Sequence, residues 1–206
     1  MVDSPAPFAD TLGVVIAGGE ARRMGGGDKC LLQVGGAAIL AHILARLRPQ
    51  VAEVLLNANG DASRFASYGL KVISDGHSGH EGPAAGLLAG LTQAAESGYA
   101  FCLTVPGDAP LLPHDLATRL REALQSRSEM CAVATSGGKR QTVFALWRTA
   151  ALPDLRAAYA SSERALWRLQ DSVGAVEVPF AGNSFAGVNR PEDLTALAGA
   201  FAGMKP

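Results

Sequence analysis

Residues 12–17, LGVVIA, form an unbroken apolar run that ends on Gly18 and Gly19. No polar residue alternates within it, so it fits a strand buried on both faces. Such a strand calls for a parallel sheet covered by helices on either side. The rest of the chain follows the same scheme. Ile39, Leu40, Ile43, Leu44 and Leu47 recur at helical spacing. Residues 51–56 and 70–73 read as second and third strands, and a helix is expected over about 83–96, starting just after Gly82. Residues 99–105 read as a fourth strand, and Leu116, Leu120 and Leu124 mark a helix with Pro113 near its start. Residues 131–135 and 142–147 read as two more strands joined by the turn SGGKRQ. Residues 150–169 are mostly helical with a break at Ser161 and Ser162. A last strand is expected over 173–178 and a closing helix over 191–201, with Glu192 and Asp193 in its first turn.

Strand and helix therefore alternate through most of the chain. This predicts an α/β three-layer sandwich around a mostly parallel sheet with Rossmann-like topology. The expected organisation is a flexible tail over 1–10 and a single domain over 11–206. In such folds a ligand sits outside the carboxyl ends of the strands, so the residues just after each strand carry the information.

Charge and cysteine usage narrow the function. A net charge of -1 and a pI near 6.4 leave no basic field for a long nucleic acid. A small anion needs only a local cluster. Cys30, Cys102 and Cys131 form no CxxC pair, which argues against a disulfide framework and a four-cysteine zinc site. Reduced thiols fit a cytoplasmic setting. The start, MVDSPAPFAD, lacks the basic and apolar regions of a signal peptide, and no apolar run approaches the roughly 20 residues that span a bilayer. The expectation is a cytoplasmic protein with no membrane and no nucleic-acid partner.

The loop after the first strand runs GGEARRMGGGDK, from Gly18 to Lys29. Its glycines let backbone N–H groups approach an anion, and Arg22, Arg23 and Lys29 add positive charge. A solvated basic loop would share this composition, but the position after the first strand favours a polyphosphate cradle. It is not a P-loop, because Lys29 is followed by Cys30 instead of Ser or Thr. Nor does it have the G-x-G-x-x-G spacing of a dinucleotide fingerprint.

The stretch VIAGGEARRMGGGDK resembles the signature loop of the molybdenum cofactor guanylyltransferases (MobA type) within the nucleotidyltransferase superfamily. The likeness continues at LLNAN, KVISDG, GPAAG, LTVPGDAPLLP and FAGVNRPEDL, covering almost the whole chain. It implies that Ile16, Ala17, Gly18 and Gly19 line the nucleotide. Arg22, Arg23 and Lys29 would hold the β- and γ-phosphates and stabilise the departing pyrophosphate.

Read as residues alone, Asn57 and Asn59 are either purine-edge contacts or turn formers. The resemblance points to Asn57. Asp75 is a turn signal with Gly76, and by resemblance a guanine or ribose contact; a carboxylate suits the N1–H and 2-amino donors of guanine. Gly82 and Pro83 open a helix whose N-terminal N–H groups favour an anion. Asp108, at the end of the fourth strand, suits Mg2+, which keeps waters and takes phosphate oxygens. Asn189 matches the second Asn of the family's closing motif and is a second candidate metal ligand. Gly187 stands where the first Asn would be. Thr142 and Val143 stand where relatives often have proline, on the acceptor-facing segment. His77 and His80 lack the further ligands a zinc site needs, and His42 and His114 carry no signal.

The resemblance implies transfer of GMP from GTP to the phosphate of molybdenum-molybdopterin, with Mg2+ as cofactor and pyrophosphate as the other product. Transient contact with cofactor-synthesis proteins or recipient molybdoenzymes would follow. Three alternatives stay open: a cytidylyltransferase on the same pterin, a non-pterin guanylyltransferase, and a nucleotide-binding chaperone without catalysis. Nucleotide competition separates the first, the acceptor used separates the second, and pyrophosphate release dismisses the third.

Overall fold

A computed structural model of the chain describes residues 8–18, 27–75, 82–125, 127–182 and 185–201. A seven-stranded sheet runs through its centre. In chain order its strands are β1 (Thr11–Ile16), β4 (Glu53–Asn57), β5 (Lys71–Ile73), β6 (Phe101–Pro106), β7 (Cys131–Ser136), β8 (Lys139–Arg148) and β9 (Ala175–Pro179). Their order across the sheet is β5-β4-β1-β6-β8-β7-β9. Four neighbouring pairs are parallel, and β8 alone runs antiparallel to both its neighbours, β6 and β7. The mostly parallel sheet expected from the sequence is thus present.

Among the described residues, six α-helices cover the two faces. They are α1 (Ile39–Leu47), α2 (Pro83–Glu96), α3 (Leu116–Leu124), α4 (Leu152–Ala160), α5 (Leu166–Ser172) and α6 (Pro191–Phe201). The apolar faces of α1, α3 and α6 join one core, with Val15, Leu56 and Leu103 of the sheet. Those of α2, α4 and α5 join the other, with Val14, Leu55 and Cys102. Consecutive β1 residues thus feed opposite cores, which is why that strand is apolar without alternation. The result is the predicted three-layer sandwich.

Several boundaries differ from expectation for physical reasons. The turn SGGKRQ contracts to Gly137 and Gly138, both at positive φ, and β8 therefore begins at Lys139 instead of 142. A small hairpin of β2 (Gln33–Val34) and β3 (Ala37–Ala38) turns in the same way on Gly35 and Gly36. Two-residue strands are too short for an alternation pattern to reveal. The break expected at Ser161 and Ser162 is present and separates α4 from α5, with Ser162 at φ 71. Of the stretch expected as a tail, Phe8 packs against the core, and Asp10 receives two hydrogen bonds from Arg121.

The parallel register sets up the site. Ile16 aligns with Asn57 and with Pro106, and Asn57 aligns with Ile73. Four strands therefore end in one row, and the next residues on each emerge on the same edge of the sheet.

Candidate active site

A cavity of about 280 Å³ opens along that edge. Ile16, Ala17 and Gly18 form its floor, where Ala17 N–H donates to Asn57 O at 2.8 Å and Gly107 N–H donates to Ile16 O at 2.9 Å. These bonds prolong the ladder one residue past the strands. Nine residues singled out from the sequence line the cavity: Ile16, Ala17, Gly18, Lys29, Asn57, Asp75, Gly82, Pro83 and Asp108. Gly19, Arg22 and Arg23 lie outside the described residues, as do His77 and His80.

At one end, Lys29 Nζ lies 3.3 Å from Asp108 Oδ2 and donates to Asn189 Oδ1 at 2.8 Å. Residues from the loop before α1, the end of β6 and the segment before α6 thus meet at one ammonium group. Val188 N–H donates to Asp108 O at 2.8 Å and fastens the last segment in place. Asp193, in the first turn of α6, accepts from the N–H groups of Asn189 and Arg190 at 2.7 and 2.8 Å. Those backbone bonds hold its carboxyl below the usual carboxylate range. Asn189 itself does not line the cavity; it reaches it through Lys29.

Across the cavity, Asp75 follows β5. Asn59 Nδ2 donates to Asp75 Oδ2 at 3.0 Å, and Asn59 Oδ1 accepts from Ser74 Oγ at 2.8 Å and from Asp75 N–H at 3.3 Å. Asn57 is buried and donates to Ile73 O at 3.3 Å, so its amide ties β4 to β5 while bordering the cavity. Gly86 makes this packing feasible, because a Cβ there would sit 2.3 Å from Asn57 Oδ1. Gly82, at φ 74, caps α2 with no side-chain hydrogen bond, and Pro83 occupies the first turn. The N–H groups beyond it face the cavity end of a 14-residue helix, a favourable setting for negative charge.

Cys30, Pro106 and Gly107 also line the cavity without a signal in the sequence, and so does Asn59, which the resemblance passes over. Cys30 is buried, and burial with the neighbouring Asp28 carboxylate raises its thiol to about 12, so it is a neutral wall and not a nucleophile. Asn59 stood beside Asn57 in the sequence, and its strand-end position was the available signal. Val143 also lines the cavity, so the segment expected to face an acceptor does border the site.

Among the described residues, no group of three or more His, Cys, Asp or Glu is arranged to hold a metal ion. Asp108 offers a single carboxylate, with the Asn189 amide oxygen reachable through the shared lysine. A Cβ at Gly187 would lie 3.3 Å from Asp108 Oδ1, so that side of the carboxylate is open. One hard oxygen donor, with the Lys29 ammonium beside Oδ2 and an open side at Gly187, fits a cation that brings waters and phosphate oxygens, and does not fit a caged structural metal. Among the described residues no helix is long and apolar enough to cross a membrane.

Residues 13–176 match the model of the MobA-like NTP transferase domain. A molybdenum cofactor guanylyltransferase of Cereibacter sphaeroides is 43% identical over 183 residues, covering 88% of this chain and 92% of that protein. The molybdopterin-guanine dinucleotide biosynthesis protein A of Archaeoglobus fulgidus superposes with a TM-score of 0.76 at 19% identity, covering 94% of this chain and all of that one. The 2-C-methyl-D-erythritol 4-phosphate cytidylyltransferase of Thermus thermophilus superposes with a TM-score of 0.69 at 23% identity, covering 92% and 98%. The last two likenesses speak for the fold alone.

Proposed function

The chain belongs to the MobA-like NTP transferase family, and on that premise we propose that it transfers GMP from GTP to the phosphate of molybdenum-molybdopterin. The products are the guanine dinucleotide form of the cofactor and pyrophosphate. One observation carries the reading: residues from the ends of four parallel strands, with Lys29 and the start of α2, converge on a single cavity. The relative that is 43% identical over most of the chain is a guanylyltransferase, which supports GTP as the donor.

In this reading the nucleotide lies across the strand ends. Asp75, steadied by Asn59, accepts from the N1–H and 2-amino groups of guanine, and Asn57 packs beside the base or ribose. Ile16, Ala17 and Gly18 support the nucleotide with backbone atoms, and Gly82, Pro83 and the helix behind them lend positive dipole to its phosphates. Lys29 neutralises the triphosphate, together with Arg22 and Arg23 of the preceding loop, and Gly19 contributes to the same cradle.

An oxygen of the acceptor phosphate attacks the α-phosphorus in line. The new P–O bond forms as the bond to the bridging α,β-oxygen breaks, and pyrophosphate takes the electron pair. The nucleophile is already an anion, so no strong general base is required. The protein's contribution is positioning and charge compensation. Asp108 and Asn189 would hold Mg2+, which when bound offsets charge on the phosphate oxygens. Lys29 lies between them and carries positive charge to the leaving group.

Pyrophosphate release in the presence of acceptor, measured with GTP and with CTP, tests this. Release with GTP and the guanine dinucleotide as product is expected. A preference for CTP would make the enzyme a cytidylyltransferase, and no release with any nucleotide would overturn the enzymatic reading.

A further inference from the structure

We propose that Arg64 is a positioning residue, a strut that sets the distance between the phosphate end and the base end of the nucleotide; this rests on reading the cavity as a GTP site. Arg64 lies in a 3-10 helix, Ala62–Tyr68, outside the cavity lining. Its guanidinium takes the Asp28 carboxylate with two donors, Nε to Oδ2 and Nη2 to Oδ1, the latter at 3.2 Å. Nη2 also donates to Asn59 O at 2.6 Å, and Nη1 donates to Asp61 O.

These partners sit at the two ends of the site. Asp28 precedes Lys29, whose ammonium group meets Asp108 and Asn189. Asn59 holds Asp75 through its side chain while its carbonyl is held by Arg64. One planar group therefore joins the exit of the phosphate loop to the loop that carries the base-side acid. The strut is itself braced. Its guanidinium lies 4.5 Å from the centroid of the Phe65 ring, a buried side chain, and Asp61 closes the start of the 3-10 helix by accepting from Ser63 N–H at 2.9 Å. The pairing also offsets a carboxylate that would otherwise stand unneutralised beside an incoming polyphosphate.

The fork is what matters. Arginine presents several donors in one rigid plane and engages a carboxylate and carbonyls together, whereas lysine offers a point charge. A ligand that spans two ends of a rigid site is penalised for losing a group at either end. Without the strut, the ends are no longer held at one spacing, and each loss should matter less.

The test measures Kd for GTP, GDP and inosine triphosphate in the wild type, Arg64→Ala and Arg64→Lys, with thermal melts to verify folding. GDP lacks the γ-phosphate and reads the phosphate end. Inosine triphosphate lacks the 2-amino group and reads the base end. In the wild type both should bind more weakly than GTP. In Arg64→Ala, both GDP/GTP and inosine triphosphate/GTP ratios should fall toward one, by roughly fivefold, and Arg64→Lys should resemble Arg64→Ala. Unchanged ratios, whatever the overall loss of affinity, would reduce Arg64 to general stability and overturn the strut. A change in only one ratio would also overturn it, by showing a role at one end. If Arg64→Ala does not fold, Arg64→Lys and Asp28→Asn carry the same comparison. Failure of the wild type to bind GTP would overturn the cavity reading and the strut with it, whereas GTP binding with unmoved ratios would overturn the strut alone.

Discussion

In the half of the sheet made by β5, β4, β1 and β6 every strand runs parallel, and all four end on the cavity. In the half made by β8, β7 and β9, β8 runs against its neighbours and borders the cavity only through Val143. The first half places its residues by backbone register, since aligned strand ends leave aligned loops. The second places them by side chains. Between the paired residues Val133–Ala145 and Thr135–Arg140, β7 contributes residue 134 and β8 contributes 141–144, so β8 bulges. Two carbonyls of that bulge are held from other elements. Thr104 Oγ1 donates to Val143 O at 2.7 Å while accepting from Trp147 Nε1 at 3.2 Å, and Gln170 Nε2 donates to Thr142 O at 2.9 Å. Register gives one common edge for the strand-end loops, and a pinned bulge can vary without disturbing it. The departures Thr142 and Val143 fall on this bulge.

The contrast can be broken most sharply at Asp108, the residue at the end of the parallel half proposed to hold the metal. Asp108→Ala should lower turnover on the order of a hundredfold or more with the melting temperature nearly kept; pyrophosphate release and a thermal melt check both. Near-normal turnover in the folded variant would remove Asp108 from the chemistry. Next comes register packing. Gly86→Ala brings a methyl against the buried Asn57 amide, and should cost about 1–3 kcal/mol of stability and weaken GTP binding, seen by denaturant unfolding and calorimetry.

Thr104→Val probes the other half. The hydroxyl is buried, and its loss leaves Val143 O and Trp147 Nε1 without this partner. Stability should fall by about 1–3 kcal/mol, with KM for the acceptor raised and GTP affinity kept. An equal loss of GTP affinity would erase the division between the halves. The smallest effect lies far from both, at the entry to β1. The Arg121 guanidinium holds the Asp10 carboxyl below its usual 3.8. A lowered folded value stabilises the fold above the unfolded value, and that contribution fades as pH falls through the folded one. Asp10→Asn should therefore be less stable than wild type by under about 1 kcal/mol at pH 7, with the gap closing below pH 4 in urea titrations at graded pH.

Much of the parallel half was legible because its signals are local. An apolar run such as 12–17 announces a doubly buried strand, and residues just after such runs emerge on one edge. The same reasoning places Asp75, Lys29 and Asp108 at that edge, and all three line the cavity. On residues alone Asn57 and Asn59 stay equal and only the resemblance points to Asn57, yet Asn59 is the residue that holds Asp75, because that contact depends on where β5 ends relative to β4. Arg64 was not legible at all: a lone arginine in a loop gains meaning only from Asp28 and Asn59, which the fold brings to it. The hairpin at Gly35 and Gly36 and the β8 bulge were hidden for similar reasons, one too short for a pattern and the other set by pairing across strands.

Calorimetric titration of the wild type with GTP, CTP and ATP, each with and without Mg2+, addresses the central claim most directly. Tight, Mg2+-assisted binding of GTP over CTP and ATP is the predicted result. Equal or tighter binding of CTP, or no binding of GTP under either condition, would contradict a cavity built to present GTP for transfer.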